Sequence, residues 1–389
     1  MTGKERVLLC LCKMGGREQE FIDKAFADNW VAPLGPNVDG FEKDLEKFLL
    51  PPESQKRILA VASGTAALHL GLVMLDVKQG DEVMVQSLTF SASANPVCYQ
   101  GATPIFVDSE PDTWNIDPIL LDEVISDRKA KTGKLPKAIV VVDLYGMPAK
   151  MDEIQQVADK WNIPVLEDAA EALGSTFKQK MCGTFGRYGV LSFNGNKMIT
   201  TSGGGALICP DERLHNLALS YATQSREKAP WYQHERIGYN YRLSNISAGI
   251  GRGQMYVVEE HISHHRQVQA AYREAFKNID GVYLHENPGP DFDSNFWLCT
   301  VIFDPHLKVK GDDGCGVPEA IRRNLEAENI ESRPIWKPMH LQPFFEGCPA
   351  YLNGVSERLF QNGLCLPAGP YVGEKEIERI VKSLKNSLK

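Results

Sequence analysis

The sequence predicts an α/β protein in which helices cover both faces of a mostly parallel sheet, followed by a smaller α+β domain. Between about residues 55 and 250, short apolar runs alternate with stretches of helical periodicity, which is the pattern of βαβ units. The length of 389 residues corresponds to two domains. Apolar residues make up 43% of the chain and charged residues 24%, which is typical of a globular protein rather than a disordered one.

The predicted elements follow from the apolar pattern, in chain order. Short apolar runs predict strands over Ile58–Ala62, Glu82–Gln86, Thr103–Val107, Ala138–Asp143 and Val165–Asp168. The segments between them predict helices over Thr65–Leu75, Ser91–Gln100, Ile119–Ser126 and Met151–Trp161. Further along, the pattern predicts a charged helix over Met255–Ile279, a loop over Asn287–Asp293, a strand over Phe296–Phe303 and a helix over Pro318–Glu328. We place the large domain at residues 1–254 and the small C-terminal domain at residues 255–389.

Charge and cysteine usage exclude several classes of protein. The net charge of −8 argues against a nucleic-acid-binding protein, since such proteins carry basic surfaces. The nine cysteines are scattered and form no Cys-x-x-Cys pair, which argues against a disulfide framework or a zinc site. No apolar run reaches the roughly 18 residues of a membrane helix, and the apolar run near the N-terminus is too short for a signal peptide. We therefore expect a cytoplasmic protein with no membrane partner.

A first candidate site lies in the segment Ala62–Leu68. A strand ends there, Gly64 permits a tight turn, and a helix begins at Thr65. Free N–H groups and the helix dipole make such a corner an anion site. The alternative is an ordinary helix cap, which Ser63 and Thr65 are equally suited to provide.

A second candidate site lies in Val165–Glu171, where an apolar strand ends in two carboxylates, Glu167 and Asp168. Ligands of open α/β sheets bind outside the carboxyl ends of the strands. A carboxylate in that position would pair with a cationic ring nitrogen. An aspartate that caps the following helix is the alternative.

A third candidate site is the polar turn Ser192–Lys197, which is followed by the glycine-rich segment Gly203–Gly205. A lysine amine becomes a nucleophile when burial and neighbouring charge lower its pKa. The hydroxyl of Ser192 is suited to donate to a phosphate. The alternative is a surface lysine beside a flexible turn.

The segment Gly238–Ser244 is a fourth candidate, because it combines two aromatic side chains, an amide and a guanidinium. That combination is typical of the recognition of an anion or a ring. An aromatic corner with a solvated arginine is the alternative.

In this order and spacing, the four segments resemble the sugar aminotransferases of the DegT/DnrJ/EryC1/StrS family. The resemblance covers nearly the whole chain and extends to Asn29–Pro36, Phe41–Glu42, Thr89–Asn95, Gly101–Pro104, Pro338–Pro343 and Leu366–Pro367. It implies an aspartate-aminotransferase-like fold (fold type I), in which a large domain with a mixed, mostly parallel sheet precedes a smaller α+β domain. It also implies that the protein is an enzyme and that its cofactor is pyridoxal 5'-phosphate.

The resemblance assigns roles to individual residues. Lys197 matches the lysine that binds the coenzyme covalently and shuttles the substrate proton, and Asp168 matches the partner of the pyridine nitrogen. Phe90 matches the aromatic side chain that stacks on the pyridine ring. The phosphate contacts match Gly64, Thr65, Ser192 and Asn240, of which Asn240 belongs to the neighbouring subunit in this family. A homodimer with shared active sites is therefore implied.

Two features bear on the substrate. Glu171 departs from the histidine or glutamine of many relatives, and its role stays open between positioning the ring hydroxyl or the sugar and being held protonated. The sequence of the Ser192–Lys197 segment resembles that of the family branch whose enzymes aminate C-4 of UDP-4-keto-6-deoxy-N-acetylhexosamines, including enzymes of bacillosamine synthesis. This branch implies L-glutamate and a UDP-ketosugar as substrates, and an amino sugar for bacterial surface polysaccharide or glycan as the product.

Several polar residues are weaker candidates. The resemblance places His340 near the nucleotide sugar, although a packed histidine is nearly as plausible. Lys337, Arg333 and Arg242 are suited to contact the substrate, or are simply solvated. The group formed by Glu260, His261, His264 and His265 has helical spacing that suits a metal, but we interpret it as a solvated helix face and expect no metal site.

Two other functions are compatible with the fold. One is a pyridoxal-phosphate-dependent sugar dehydratase, but histidine replaces the lysine in the known 3-deoxygenating members, so Lys197 argues against it. The other is a non-catalytic sensor that binds a ligand. The intact set of Lys197, Asp168 and Phe90 argues against a sensor, because binding alone requires no electron sink.

Overall fold

The computed structural model describes residues 5–389, which form three sheets and the helices around them. In chain order the strands are β1 (Arg57–Val61), β2 (Glu82–Gln86), β3 (Thr103–Val107), β4 (Ala138–Val142), β5 (Val165–Asp168), β6 (Thr176–Phe177), β7 (Lys180–Met181), β8 (Tyr188–Ser192), β9 (Gly205–Cys209), β10 (Val282–Leu284), β11 (Phe292–Asp293), β12 (Cys299–Phe303), β13 (Arg333–Pro334), β14 (Ala350–Tyr351) and β15 (Gly363–Leu366). The α-helices are α1 (Glu18–Ala27), α2 (Pro36–Leu49), α3 (Gly64–Met74), α4 (Asn95–Tyr99), α5 (Pro118–Thr132), α6 (Met151–Trp161), α7 (Glu212–Ala222), α8 (Asn245–Met255), α9 (Val258–Phe276), α10 (Val317–Ala327), α11 (Val355–Asn362) and α12 (Glu374–Ser387).

The central sheet has eight strands among the described residues, in the order β1-β9-β8-β5-β4-β2-β3-β14. The pairs from β8 to β14 are parallel, whereas β9 is antiparallel to both of its neighbours. Parallel strands that are buried on both faces consist mainly of apolar residues, as β4 does with Ala138–Val142. The predicted mixed, mostly parallel sheet is therefore present, and the predicted strands coincide with β1 to β5 to within one residue at each end.

Helix α3 packs directly against this sheet, and its position determines where the site lies. Its Leu68, Leu70 and Leu72 are buried. A side chain at Gly71 would place a Cβ atom only 2.7 Å from Cδ1 of Leu166 in β5, so glycine allows the helix to approach the sheet closely. As a result, the N-terminus of α3 lies near the carboxyl ends of the strands.

Several elements differ from the sequence-based expectation. Helix α5 extends to Thr132, beyond the predicted end at Ser126, and β12 begins at Cys299 rather than at Phe296. The predicted helix Ser91–Gln100 divides into a 3₁₀ turn and α4, and Pro96 in the first turn of α4 provides no N–H for a continuous helix. The predicted helix Met255–Ile279 is shorter, and it follows a separate helix, α8, that the apolar pattern did not indicate. The predicted loop Asn287–Asp293 ends in β11, which pairs with β6.

The C-terminal part of the chain forms its own antiparallel sheet in the order β10-β12-β15-β13, with a separate apolar core. It also returns to the large sheet, because β14 pairs with β3. The division at residue 254 therefore stays a prediction. Within the described part of the chain, no helix is both long and apolar enough to span a bilayer.

Candidate active site

A cavity of about 340 Å³ lies at the carboxyl ends of the parallel strands. Its volume is within the range of small-molecule sites, about 300–1,000 Å³. Strands β4, β5 and β8 each contribute a residue at or near their carboxyl end, namely Val142, Asp168 and Ser192. The structure brings seven of the predicted residues together in its wall: Gly64, Thr65, Phe90, Asp168, Glu171, Ser192 and Lys197.

The N-terminus of α3 forms one end of the cavity and is suited to bind an anion. Ser63 caps the helix, because its Oγ accepts a hydrogen bond from the N–H of Ala66 at 3.0 Å. The N–H groups of Gly64 and Thr65 belong to the first turn, where no intrahelical acceptor is available. A Cβ atom at Gly64 would lie 3.2 Å from Oγ of Ser192, so the glycine lets the helix start sit against this hydroxyl. These donors fit a phosphate group.

A buried carboxylate forms the other end. Asp168 is 4% exposed, and its Oδ2 accepts a hydrogen bond from Oγ of Ser93 at 2.7 Å. Burial raises the pKa of the Asp168 carboxyl, and the hydrogen bond from Ser93 opposes that shift. A cationic ring nitrogen placed against this carboxylate would stabilise its ionised form. Ser93 was not identified from the sequence, although it lies within the Thr89–Asn95 segment.

Lys197 lies between a carboxylate and an aromatic ring. Its Nζ is 3.2 Å from Oε1 of Glu171 and 3.9 Å from the centroid of the Trp297 ring. The other carboxylate oxygen of Glu171 accepts a hydrogen bond from the N–H of Tyr145 at 2.7 Å. Burial raises the pKa of Glu171, whereas the charge of Lys197 lowers it. Glu171 therefore pairs with the lysine amine in this structure.

Two tryptophans complete the wall, and sequence reasoning assigned a role to neither of them. The indole Nε1–H of Trp297 donates to the carbonyl oxygen of Asn196 at 2.6 Å. The ring of Trp336 lies 5.5 Å from that of Phe90, and its backbone N–H donates to the hydroxyl of Tyr145. The only sequence signal for Trp336 is its place between Arg333 and the Pro338–Pro343 segment.

The remaining predicted residues lie outside this cavity. Asn240 is exposed, and the guanidinium of Arg242 is buried against Glu42 and the carbonyl oxygen of Ala60. The alternative that Arg242 is simply solvated was wrong, because the ion pair with Glu42 holds its side chain, which is 8% exposed. Its contact with the substrate stays a prediction. His340 is hydrogen-bonded to Ser87 at 2.7 Å, and Lys337 lines a neighbouring cleft.

The histidines of α9 correct one interpretation. His261 and His265 are buried rather than solvated, although Glu260 is exposed as expected. Their Nδ1 atoms contact backbone carbonyl oxygens, at 3.3 Å for His261 and 3.2 Å for His265. The expectation of a solvated face was wrong, because the side of α9 that bears His261 and His265 packs against the loops that contain Met198 and Phe296.

Comparison with known proteins gives consistent matches along the chain. A family model described as the DegT/DnrJ/EryC1/StrS aminotransferase family matches residues 13–385. The chain is 46% identical over 384 residues to EpsN of Bacillus subtilis, whose name describes it as a pyridoxal phosphate-dependent aminotransferase; the match covers 98% of this chain and 95% of the relative.

Two further relatives carry names that refer to sugar nucleotides. The GDP-perosamine synthase of Escherichia coli O157:H7 is 34% identical, with 95% of each chain covered. The UDP-2-acetamido-2-deoxy-3-oxo-D-glucuronate aminotransferase of Pseudomonas aeruginosa is 31% identical, with 91% of each chain covered.

One solved structure confirms the fold class. The crystal structure of a DegT DnrJ EryC1 StrS aminotransferase from Brucella abortus matches with a TM-score of 0.86 at 30% identity, and the match covers 95% of both chains. The large mixed sheet with its covering helices is therefore shared with a protein of that name.

Proposed function

Because the chain belongs to the DegT/DnrJ/EryC1/StrS aminotransferase family, we propose that it transfers an amino group from L-glutamate to the C-4 ketone of a UDP-linked ketosugar. The proposed acceptor is UDP-2-acetamido-4-keto-2,6-dideoxyhexose. The products are a UDP-4-amino-4,6-dideoxy-N-acetylhexosamine and 2-oxoglutarate. The observation that carries this proposal is the meeting of Lys197, Asp168 and the N-terminus of α3 in one cavity.

The protein is a pyridoxal-phosphate-dependent aminotransferase, and the donors in the cavity fit that coenzyme. Gly64, Thr65 and Ser192 are suited to hold the phosphate, and Asp168 the pyridine nitrogen. When bound, pyridoxal phosphate supplies an electron sink and carries the amino group from one substrate to the other.

The chain's own contribution to the reaction centres on the amine of Lys197. Lys197 would hold the coenzyme, and its amine would take the proton from Cα of glutamate and would deliver a proton to C-4 of the sugar. Glu171, 3.2 Å away, stabilises the protonated amine. The Trp297 ring lies 3.9 Å from Nζ and limits where the amine moves, and the side chains of Lys197 and Glu171 are only 13% and 5% exposed.

A second cleft supports a nucleotide-linked substrate. It has a volume of about 550 Å³ and shares Phe90, Trp297 and Trp336 with the coenzyme cavity. Arg333 and Lys337 line it, and although Arg333 also pairs with Glu331 at 2.9 Å, two cations in a cleft that adjoins the coenzyme cavity suit the diphosphate of a sugar nucleotide. The GDP- and UDP-linked names of the relatives support the same substrate class.

The exposed segment around Asn240 supports a homodimer. Trp231, Tyr232 and Ile237 are 64%, 77% and 81% exposed. A group of large apolar side chains at the surface is typical of an interface. Asn240 lies at the end of the same segment and does not reach the cavity of its own chain, so we infer that it contacts the coenzyme phosphate of a second copy.

Mixing two inactive variants tests this sharing of sites. We expect Lys197→Ala and Asn240→Ala each to have little activity as purified homodimers. After subunit exchange, each mixed dimer has one intact site, so an equimolar mixture is expected to recover about a quarter of wild-type activity. A mixture that stays as inactive as its components would contradict the shared site.

The substrate assignment is tested with glutamate and a panel of ketosugars. Glutamate is expected to bleach the visible absorption band of the loaded enzyme, and a UDP-4-keto-6-deoxy-N-acetylhexosamine is expected to restore it, with the amine at C-4 by NMR. The matched controls are the GDP-linked 4-ketosugar and a UDP-linked 3-ketosugar. Selective turnover of either control would overturn the assignment of the nucleotide or of the position, and an unchanged band would overturn glutamate as the donor.

A further inference from the structure

The backbone on both sides of Lys197 is held by side chains that are distant in sequence. Three successive carbonyl oxygens are each contacted by such a side chain. The carbonyl oxygen of Asn196 accepts from Nε1–H of Trp297 at 2.6 Å. The carbonyl oxygen of Lys197 accepts from the thiol of Cys12, and the carbonyl oxygen of Met198 contacts His261. The donors come from the N-terminal segment, from α9 and from the loop before β12. The lysine is therefore fixed from outside its own loop.

Two of the groups that hold this region come from one face of α9. His261 and His265 are four residues apart, so their side chains lie on the same side of the helix. His261 contacts the residue that follows the lysine, and His265 contacts the carbonyl oxygen of Phe296 at 3.2 Å. Phe296 directly precedes Trp297, whose ring lies beneath Nζ of Lys197.

The contact of His265 holds a segment that adopts a costly conformation. Phe296 has a φ of +48°, in the left-handed region that non-glycine residues seldom adopt. Such a conformation persists only where neighbouring groups maintain it. Asn295 contributes too, because its Oδ1 accepts from the N–H of Trp297 and its Nδ2 donates to the carbonyl oxygen of Glu171 at 2.9 Å.

The chemistry of these contacts determines the form of the histidines. A carbonyl oxygen only accepts hydrogen bonds, so Nδ1 of each ring must carry the proton. The Nε2 atom of His265 is buried and has no hydrogen-bond partner among residues 5–389, and burial lowers the pKa of His265 to about 3. His265 is therefore neutral at physiological pH and acts as a fixed donor, and its Nδ1 is unavailable to a metal.

We propose that His261 and His265 are positioning residues for catalysis. From one face of α9 they hold Lys197, and Trp297 beneath it, in the positions that the reaction requires. They do not touch the reacting atoms. His261 holds the backbone at Met198, and His265 holds the Phe296–Trp297 segment. This proposal rests on Lys197 being the coenzyme lysine and is independent of which sugar is the substrate.

The test uses the loaded enzyme and pairs of variants. We expect His261→Leu and His265→Leu each to reduce the visible circular dichroism of the bound coenzyme and to slow the half-reaction with glutamate by about fivefold or more, since one hydrogen bond is lost. His261→Asn and His265→Asn place an amide N–H near the position of Nδ1–H, and they are expected to restore both readouts to within about twofold of wild type. His264→Leu is the matched control, because His264 lies on the same helix but contacts the carbonyl oxygen of Val372 instead.

The outcomes separate this proposal from the proposed function. Leucine variants with the dichroism and half-reaction rate of the wild type would overturn the positioning role. The positioning role would also be overturned if the asparagine variants had the wild-type melting temperature but showed the reduced dichroism and the slow half-reaction expected of the leucine variants. If the leucine variants do not fold, the asparagine variants decide the question. A wild-type protein that shows no coenzyme band would instead overturn the assignment of Lys197.

Discussion

Replacing Lys197 by alanine is expected to abolish the covalent attachment of the coenzyme and to lower kcat by at least about 10⁴-fold, because the nucleophile and the proton carrier are lost together. Gly64, Ser192 and Asp168, which are proposed to contact the phosphate and the ring, remain in the cavity wall, so the variant is still expected to bind pyridoxal phosphate reversibly. The measurements are the absorption spectrum after dialysis and the single-turnover rate with glutamate.

The stability of this variant needs its own control. Removing Lys197 leaves the carboxylate of Glu171 buried without the amine 3.2 Å away, which disfavours the folded state. Lys197→Arg keeps a positive charge opposite Glu171 but is not expected to bind the coenzyme covalently. If Lys197→Arg retained the band after dialysis and turned over glutamate, the role of this lysine would be refuted.

The second large effect is expected at Asp168. The change Asp168→Asn keeps the shape of the side chain but removes the charge that would pair with the pyridine nitrogen. We expect kcat to fall by about 10²–10³-fold, the size of effect seen when one preorganised electrostatic partner is removed. The measurements are the rate of the glutamate half-reaction and the affinity for pyridoxal phosphate.

The coenzyme-free form of the same variant should behave differently. Burial raises the folded-state pKa of Asp168, so its ionised carboxylate destabilises the folded protein as pH rises above the unfolded value. The neutral amide removes this cost, although its single oxygen can no longer accept from both the N–H of Ala170 and Oγ of Ser93. We expect the free energy of unfolding to stay within about 1 kcal/mol of wild type. A variant that unfolds readily without coenzyme would indicate a structural role instead.

Much of the fold follows from local patterns, and the exceptions have physical causes. The strands Glu82–Gln86 and Thr103–Val107 were predicted to the residue, because buried parallel strands are short apolar runs bounded by turn residues. Helix α8 was missed since its four-residue spacing of glycines and small residues, as at Gly249 and Gly253, gives a weak apolar pattern. Close packing requires glycine at 253, because a Cβ atom there would lie 2.6 Å from the backbone of Glu18 in α1.

The candidate site was predictable where its residues lie in contiguous motifs. Gly64 and Asp168 lie at predicted strand ends, which parallel strands bring to one edge of the sheet, and Lys197 lies in a recognisable polar turn before a glycine-rich segment. Arg242 had a comparable motif, but its partner Glu42 is 200 positions away in the chain, and no local pattern indicates that pairing.

From the amino-acid sequence alone, hydrophobic periodicity and turn chemistry predicted strands β1 to β5 and most of the helical segments between them, because both are local properties. The residues expected to hold the coenzyme came from the family resemblance of short contiguous motifs. Only the tertiary structure decided that Glu171 faces the amine of Lys197, that Trp297 lies beneath it, and that two histidines of α9 are buried against the same region. Trp297 and Asn196 are 101 positions apart, and contacts at such separations arise from the packing of whole elements rather than from any pattern along the chain.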